Sequence, residues 1–429
     1  MIFNSIPFII FFLLAFIIHW FLFKRNFKSQ NFILFALSLF FYSYWDYRFL
    51  SLILFSIIIN YYSAILITHQ NTKKKKRNIL YINIFLNLGV LFTFKYFNFF
   101  INSLKNFLNL WGSDYLDSSL ISFILPVGIS FFTFQGLSYT IDVYKGRLNY
   151  TNDFILFGAY ISFFPQLVAG PIERASDMIP QFNKKRKFSF EEAKLGLSLT
   201  IWGFFKKIVI ADQLALFVNP VFENFHFYSS IELIIAVFFF SIQIYCDFSG
   251  YSDIAIGISR FFGIKLKSNF KFPYFSTNIS DFWRRWHISL STWFRDYLYF
   301  PLGGSKINKL ITTRNIFIIF MTSGLWHGAN WTFIVWGFIH AILFIIAVFF
   351  KPKLKKNIKY QNLKCIVDFF KIIFTFLAVS FAWIFFRSNN LSDAIELIKL
   401  IFKNFSFTTY SFNSSITYSL ILIFVFLFF

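Results

Sequence analysis

The chain is poor in charged residues, and poorest in acidic ones. Only 14% of its 429 residues are Asp, Glu, Lys or Arg, and 19 acidic residues stand against 41 basic ones. A soluble globular domain averages about 25% charged residues, so the composition argues against an ordinary soluble enzyme. The net charge of +22 lies in short clusters between apolar runs. This pattern indicates the cytoplasmic loops of a membrane protein, and no nucleic acid is expected as a partner.

Cysteine and the common catalytic fingerprints are also scarce. The two cysteines, Cys246 and Cys365, have no CxxC partner, so we predict no zinc or other metal site and no disulfide framework. The absence of a GxSxG sequence argues against a serine acyl-enzyme of the hydrolase kind. There is no P-loop and no glycine-rich dinucleotide fingerprint either. The chemistry is therefore expected to come from a few polar residues within apolar segments.

Apolar runs are what the chain has in abundance, since 57% of its residues are hydrophobic. Runs of nearly 20 residues recur along the whole length, which predicts an all-α, polytopic integral membrane protein. We expect about 9 to 11 transmembrane helices, with re-entrant or interfacial pieces, in a single domain. The first 23 residues lack a small-residue cleavage site and predict a retained first helix.

The positions of the basic clusters predict three departures from simple spanning helices. Phe154–Gly170 is apolar but lies between basic clusters on the same side, and its Pro and Gly residues predict a re-entrant or in-plane segment that lines a cavity. Ile288–Leu302 has bases at both ends and predicts an interfacial helix. Ile316–Phe350 is long enough for two helices with a bend at WHGAN. The basic run Lys351–Lys359 follows, and Leu420–Phe429 starts a last apolar segment.

The stretch from Asp281 to Trp336 is the candidate active-site region. It contains two histidines, His287 and His327, and six of the eleven tryptophans. A histidine at membrane depth is expected to be neutral, so His327 has an acceptor nitrogen that can take a proton from a hydroxyl. Trp326 precedes it, and Asn330 can orient a ring or donate to an oxyanion. A buried structural histidine remains an equal alternative.

The second histidine lies beside two arginines. His287 follows Arg284 and Arg285, which could pair with lipid phosphates or with a phosphorylated substrate. A histidine at the level of the lipid headgroups, within a belt of tryptophans, is the competing interpretation.

Carboxylates within an apolar segment form a third group. Asp247 and Asp253 flank Ser249 in YCDFSGYSD, and carboxylates in such a place need partners. They could pair with one of the arginines at positions 284, 285 and 295, or orient a histidine. Structural ion pairing is the simpler alternative.

Five segments together resemble the membrane-bound O-acyltransferase (MBOAT) family, and specifically its bacterial alginate O-acetyltransferase subgroup. They occur in the family's order within a core of about residues 126–337. The segments are PVGISFFTFQGLSYTIDVYKG (126–146), FFPQLVAGPIER (163–174), IYCDFSGYSDIAIG (244–257), FWRRWHISLSTWFRDYLYFPLGG (282–304) and SGLWHGANWTFIVWG (323–337).

The resemblance implies an acetyltransferase in the bacterial inner membrane, folded around a central funnel. An acyl thioester such as acetyl-CoA would be the donor substrate, with no tightly bound cofactor, and an extracytoplasmic polysaccharide the acceptor. His327 matches the catalytic histidine within the membrane, and His287 matches the second, cytoplasm-facing histidine. Family members usually work with an extracytoplasmic partner of the SGNH-esterase type.

Two alternatives to direct acetylation of the polymer stay open, and a third is disfavoured. The chain could be a conduit that passes acetyl groups to the partner, or it could transfer D-alanine to teichoic acid. The sequence PLGG (301–304) is more similar to the acetyl branch. A secondary transporter would show two matched halves, and the sequence has no such symmetry.

Overall fold

The structure is a computed structural model that describes residues 1, 3–22, 26–109, 124–168, 170–349 and 361–403. Two segments named from the sequence lie outside this range, the basic run Lys351–Lys359 and the apolar segment Leu420–Phe429.

The described residues form helices and no strand, which confirms the all-α fold. The α-helices are α1 (Ile6–Ile17), α2 (Phe27–Ser43), α3 (Leu50–His69), α4 (Lys73–Leu91), α5 (Phe97–Asn109), α6 (Ile129–Tyr144), α7 (Phe154–Ser162), α8 (Phe164–Leu167), α9 (Ala175–Phe182), α10 (Phe190–Phe204), α11 (Asp212–Glu223), α12 (Ser230–Phe261), α13 (Ile279–Arg285), α14 (Ile288–Phe294), α15 (Lys309–His327), α16 (Trp331–Phe349), α17 (Gln361–Arg387) and α18 (Leu391–Lys403). π-Helical turns occupy Ile18–Leu22, Phe92–Tyr96, Phe205–Ala211 and Arg295–Tyr299.

Five of the described helical segments are long and apolar enough to cross a membrane, which confirms a multi-pass protein. They are Tyr47–His69, Lys73–Lys105, Ser230–Phe261, Trp331–Phe349 and Lys364–Arg387. The segment Ile6–Phe21 is apolar but shorter.

The chain divides into two compact units. The first comprises Met1–Ile201 with Ser252–Lys267, and the second comprises Trp202–Tyr251 with Ser268–Phe429. Each unit is described by itself below, and the candidate site lies wholly within the second.

A buried amide, Asn60 on α3, joins three helices in the core of the first unit. Its Oδ1 accepts hydrogen bonds from Thr140 Oγ1 on α6 at 3.0 Å and from Asn83 Nδ2 on α4 at 3.2 Å. Its Nδ2 donates to Asn87 Oδ1 on α4 at 3.1 Å. Where lipid offers no hydrogen-bonding partner, such amides hold apolar helices together. Apolar composition brings these helices into the membrane, and the amides fix how they pack.

The predicted break in Phe154–Gly170 is confirmed. Helix α7 ends at Ser162, the short α8 has Pro165 in its first turn, and residues 170–174 have irregular backbone. Gln166 Nε2 donates to the carbonyl oxygen of Tyr160 at 2.6 Å, which satisfies a backbone group that the break exposes. Gln166 and Tyr160 are fully buried. The irregular backbone is thus covered by protein, as membrane depth requires.

The predicted bend at WHGAN is also confirmed, since α15 ends at His327 and α16 begins at Trp331. Two glycines let the helices approach closely. A Cβ added to Gly324 would meet the carbonyl oxygen of Phe333, and one added to Gly337 would meet that of Phe320 at 2.4 Å. The two backbones therefore pack directly against each other, as small residues permit between membrane helices.

Replacing Gly337 by alanine is expected to lower the free energy of unfolding by about 1–3 kcal/mol, because the new methyl group would have to displace backbone. Gly89 on α4 is the matched control, since a Cβ there meets nothing within 4 Å. Alanine at position 89 should be neutral or stabilise by up to about 1 kcal/mol. Thermal unfolding in detergent measures both. An unchanged melting temperature for Gly337→Ala would mean that this helix pair is not closely packed.

Candidate active site

His327 is the last residue of α15, directly before the bend. Its ring makes edge contacts with Trp326 and Trp336, both at a centroid distance of 5.0 Å, and with Phe386 at 5.2 Å. The residue is only partly buried, whereas Trp326 and Trp336 are buried. Aromatic rings thus fix the imidazole in place, and its Nε2 is buried among them.

His287 joins α13 to α14 through an unusual backbone conformation. Its φ of 42° and ψ of 56° lie in the left-handed region, which non-glycine residues seldom adopt. Asn269 fixes the segment that follows, because its carbonyl oxygen accepts from the N–H of Ile288 at 2.9 Å and its Oδ1 accepts from that of Ser289 at 3.2 Å. The strained turn is thus held by a buried asparagine, and strain of this kind is often found at functional sites.

The fold brings the two predicted histidines together. The ring centroids of His287 and His327 are 6.4 Å apart, with an angle of 55° between the ring planes. Trp326 contacts both rings, at centroid distances of 5.7 Å to His287 and 5.0 Å to His327. Residues forty positions apart in the sequence therefore form one cluster of two imidazoles and an indole.

The imidazole of His287 is buried and has no hydrogen-bond partner among the described residues. It is 1% exposed, and neither ring nitrogen is paired. Phe248 contacts it edge-on at 4.6 Å. His287 lies outside the candidate spanning helices, and burial lowers its pKa to about 3, so the ring is neutral at physiological pH. Buried polar groups without a partner are rare, and a catalytic role is one of the reasons for which they are retained.

Asn330 lies at the start of α16, and both ends of its amide make hydrogen bonds. Oδ1 accepts from the N–H of Thr332 at 3.2 Å, which caps the helix, and Nδ2 donates to the carbonyl oxygen of Asn389 at 2.7 Å. The amide therefore holds the bend to the residues that follow α17. The second N–H of the Asn330 amide can donate to an oxyanion. This role of Asn330 stays a prediction.

Arg284 and Arg285 both pair with Asp281, one turn earlier on α13, at 3.7 and 3.0 Å. Arg284 remains largely exposed, at 71% of its side chain. It lines a cavity of about 510 Å³ together with Arg295 and Ile288, the residue after His287. The other lining residues come mainly from α13 to α16 and are mostly apolar, with the hydroxyl side chains of Ser280, Ser291, Thr292 and Ser323 among them. An anionic head with an apolar or extended chain matches such a lining.

Asp247 and Ser249 pair with lysines rather than with the arginines considered from the sequence. Lys207 Nζ lies 2.5 Å from Asp247 and 2.7 Å from Asp212. Lys206 Nζ donates to Ser249 Oγ at 3.0 Å. Both lysines lie in the π-helical turn 205–211, so adjacent residues point towards α12. Asp247 and Ser249 lie on α12 and hold the π-helical turn against it. The same helix carries Phe248, whose ring contacts that of His287.

Sequence reasoning missed two residues that support the histidines. One is Asn269, which lies in a stretch without a motif. The other is His340 on α16, whose buried Nδ1 accepts from Trp283 Nε1 at 3.3 Å. Trp336 contacts both His340, at 4.8 Å, and His327. The only sequence signal for His340 was a histidine within an apolar run, and such a signal does not reveal which residue bonds to it.

The described residues contain no group of three or more His, Cys, Asp or Glu side chains that could hold a metal ion.

Comparison with known proteins identifies the family. The model of the MBOAT, membrane-bound O-acyltransferase family, matches residues 147–388, more than half of the chain. The match covers both histidines, the bend and the π-helical turn with the two lysines.

Three relatives show how close the similarity is. A peptidoglycan O-acetyltransferase of Helicobacter pylori is 38% identical over 388 residues, which cover 84% of this chain and 72% of the relative. A probable alginate O-acetylase of Pseudomonas putida is 36% identical over 94% of this chain and 80% of the relative. A teichoic acid D-alanyltransferase of Bacillus subtilis is 32% identical over 62% of this chain and 69% of the relative. This chain belongs to the membrane-bound O-acyltransferase family, and it is a multi-pass O-acyltransferase.

Proposed function

We propose that the protein transfers an acetyl group from a cytoplasmic thioester, acetyl-CoA, to hydroxyl groups of an extracytoplasmic polysaccharide across the bacterial inner membrane. His327 is the general base, and His287 faces the donor. The observation that carries this proposal is the pair of imidazoles with centroids 6.4 Å apart, in which the ring of His287 is buried and unpaired among the described residues.

The proposed chemistry needs one proton carrier. His327 takes the proton of the acceptor hydroxyl, and the alcohol oxygen attacks the thioester carbonyl carbon. The C–O bond forms, the C–S bond breaks, and the proton on His327 passes to the departing sulfur. An N–H of Asn330 or a backbone amide near Gly328 can stabilise the oxyanion of the tetrahedral intermediate. The surrounding aromatic residues keep bulk water from the thioester, which limits hydrolysis.

The cavity beside His287 supports a donor with an anionic head. Arg284 and Arg295 line it, and most of the remaining lining is apolar. The phosphates of coenzyme A suit guanidinium groups, because planar N–H pairs bind phosphate oxygens bidentately. Ile288, the residue after His287, lines this cavity, and the donor thioester is proposed to reach the imidazole from there.

The acceptor is a polysaccharide, and its type is proposed from the relatives. Those named for O-acetylation of peptidoglycan and alginate match 84% and 94% of the chain, whereas the D-alanyltransferase matches 62%. Acetyl transfer to such a polymer is therefore favoured over D-alanyl transfer. An extracytoplasmic partner of the SGNH-esterase type is proposed to receive some of the acetyl groups or to direct them to the polymer.

Purified protein in lipid nanodiscs, given acetyl-labelled acetyl-CoA and soluble oligosaccharides of peptidoglycan or alginate, is expected to acetylate the oligosaccharide without any second protein. The reason is that the base and the donor cavity lie in one unit of this chain. The measurement is label in the oligosaccharide, resolved by mass spectrometry. D-alanyl-loaded carrier protein serves as the competing donor.

Two outcomes would contradict the proposal. Label that reaches the oligosaccharide only when the SGNH-type partner is added would make the chain a conduit for acetyl groups. Faster transfer of D-alanine than of acetyl would place it in the other branch of the family.

A further inference from the structure

A second cavity lies in the first unit and takes no part in the proposed reaction. Its volume is about 780 Å³. Its lining combines three consecutive bases with aromatic side chains: Phe16, Trp20, Phe21, Lys185, Arg186, Lys187 and Phe188. Lys185 and Lys187 are exposed, whereas Arg186 is only 6% exposed. A buried guanidinium at the wall of a cavity is costly unless something pairs with it.

The backbone and one corner of Arg186 are fixed by buried amides. Its N–H donates to Gln30 Oε1 at 2.9 Å, and its carbonyl oxygen accepts from Gln30 Nε2 at 3.1 Å. Its Nη1 donates to Asn31 Oδ1 at 2.9 Å. Both amides, on α2, are fully buried. The guanidinium is thus held in one orientation from one side.

The opposite edge of the same guanidinium is unpaired. Nε and Nη2 are buried and have no hydrogen-bond partner among the described residues. These two N–H groups point in parallel, and this is the edge that binds two oxygens of a phosphate or carboxylate at once. Burial lowers the pKa of Arg186 to about 10, so the group remains charged at neutral pH. A fixed, charged and vacant fork is a preformed site for an oxyanion.

The other walls favour an anion that carries an apolar chain. Phe16 and Trp20 belong to the apolar segment 6–21, and Trp20 Nε1 donates to the carbonyl oxygen of Phe261 at 2.9 Å, which fixes the indole. Trp20 and Phe21 lie in the π-helical turn 18–22, and such turns are frequent at functional sites. Tryptophan beside lysine is typical of the level of the lipid headgroups.

We propose that this cavity binds the phosphate of a membrane phospholipid, with the Nε and Nη2 edge of Arg186 on two phosphate oxygens. Lys185 and Lys187 add charge at the mouth, and the aromatic side chains contact the upper part of the acyl chains. The same phosphate chemistry occurs in coenzyme A, which makes a soluble phosphate the rival source.

The experiment titrates delipidated, full-length protein in detergent with phosphatidylglycerol and follows its melting temperature, with diacylglycerol as the lipid that lacks phosphate. Arg186→Lys keeps the charge and loses the parallel pair of N–H groups. Lys184→Gln is the control, because Lys184 is exposed and lies outside the lining. We expect phosphatidylglycerol, but not diacylglycerol, to stabilise the wild type, and Arg186→Lys to weaken its apparent affinity about tenfold. Lys184→Gln should bind as the wild type does.

A second variant covers the case in which Arg186→Lys fails to fold. Lys185→Gln combined with Lys187→Gln changes only exposed side chains and should weaken binding severalfold. Wild-type affinity in both variants, or equal stabilisation by diacylglycerol, would overturn the proposal. Displacement of the phospholipid by millimolar coenzyme A would assign the site to the soluble phosphate instead.

Discussion

The His327→Phe variant is expected to lose acetyl transfer by about 10²–10⁴-fold, the usual contribution of a general base. Phenylalanine keeps an aromatic ring against Trp326, Trp336 and Phe386, each with its centroid about 5 Å from that of the imidazole. The packing survives while both ring nitrogens are lost. The loss should therefore fall on kcat, with the KM for acetyl-CoA and the melting temperature nearly unchanged.

His226 provides the matched control for this substitution. It lies in the same unit, is 54% exposed at its side chain and faces Glu396 at 3.6 Å, far along the chain from the active-site stretch. His226→Phe should transfer acetyl at the wild-type rate. The measurement is labelled oligosaccharide formed per minute under saturating donor. A His327→Phe rate within threefold of the wild type would remove His327 from the mechanism.

The sequence predicted the parts of the site that depend on local patterns. Hydropathy located α12 and α16, and the bend between α15 and α16 followed from a run too long for one helix. The resemblance brought His287 and His327 to one site, and their rings indeed lie side by side. The helices and the bend could be predicted because each is set by a short stretch and by the apolar surroundings of the membrane, whereas the meeting of the histidines was predicted only from the family resemblance.

Pairings between distant residues could not be predicted in the same way. The partner of Asp247 proved to be Lys207, forty positions earlier, and not an arginine of the 284–295 stretch. The sequence showed Lys206 and Lys207 only as bases within an apolar run, although a hydroxyl and two carboxylates make them tolerable there. Asn269 and Arg186 are similar cases, because burial and partners come from folding and not from composition.

Helix ends also depended on capping that hydropathy does not register. The five bases 73–77 begin α4, which Thr72 caps by accepting from the N–H of Lys75. Positive charge is unfavourable at a helix N-terminus, but these side chains are mostly exposed, so solvent screens the cost.

The second large effect is expected for His287→Asn, which should lower acetyl transfer by about 10²-fold or more. Asparagine tolerates the left-handed backbone of position 287 better than most residues do, so the turn between α13 and α14 should persist. The substitution removes the buried imidazole that lies beside His327. If His287 faces the donor, the KM for acetyl-CoA should rise as kcat falls, in contrast to His327→Phe.

Phe272 separates the backbone effect from the loss of the imidazole. It is the other non-glycine residue with positive φ among those described, at 46°, and it is 72% exposed. Phe272→Asn should relieve comparable backbone strain and leave the transfer rate unchanged, with an equal or higher melting temperature. Steady-state kinetics and thermal unfolding of both variants make the comparison. Should His287→Asn keep wild-type kcat and KM, the buried ring would be a packing element, and the donor would have to be bound elsewhere.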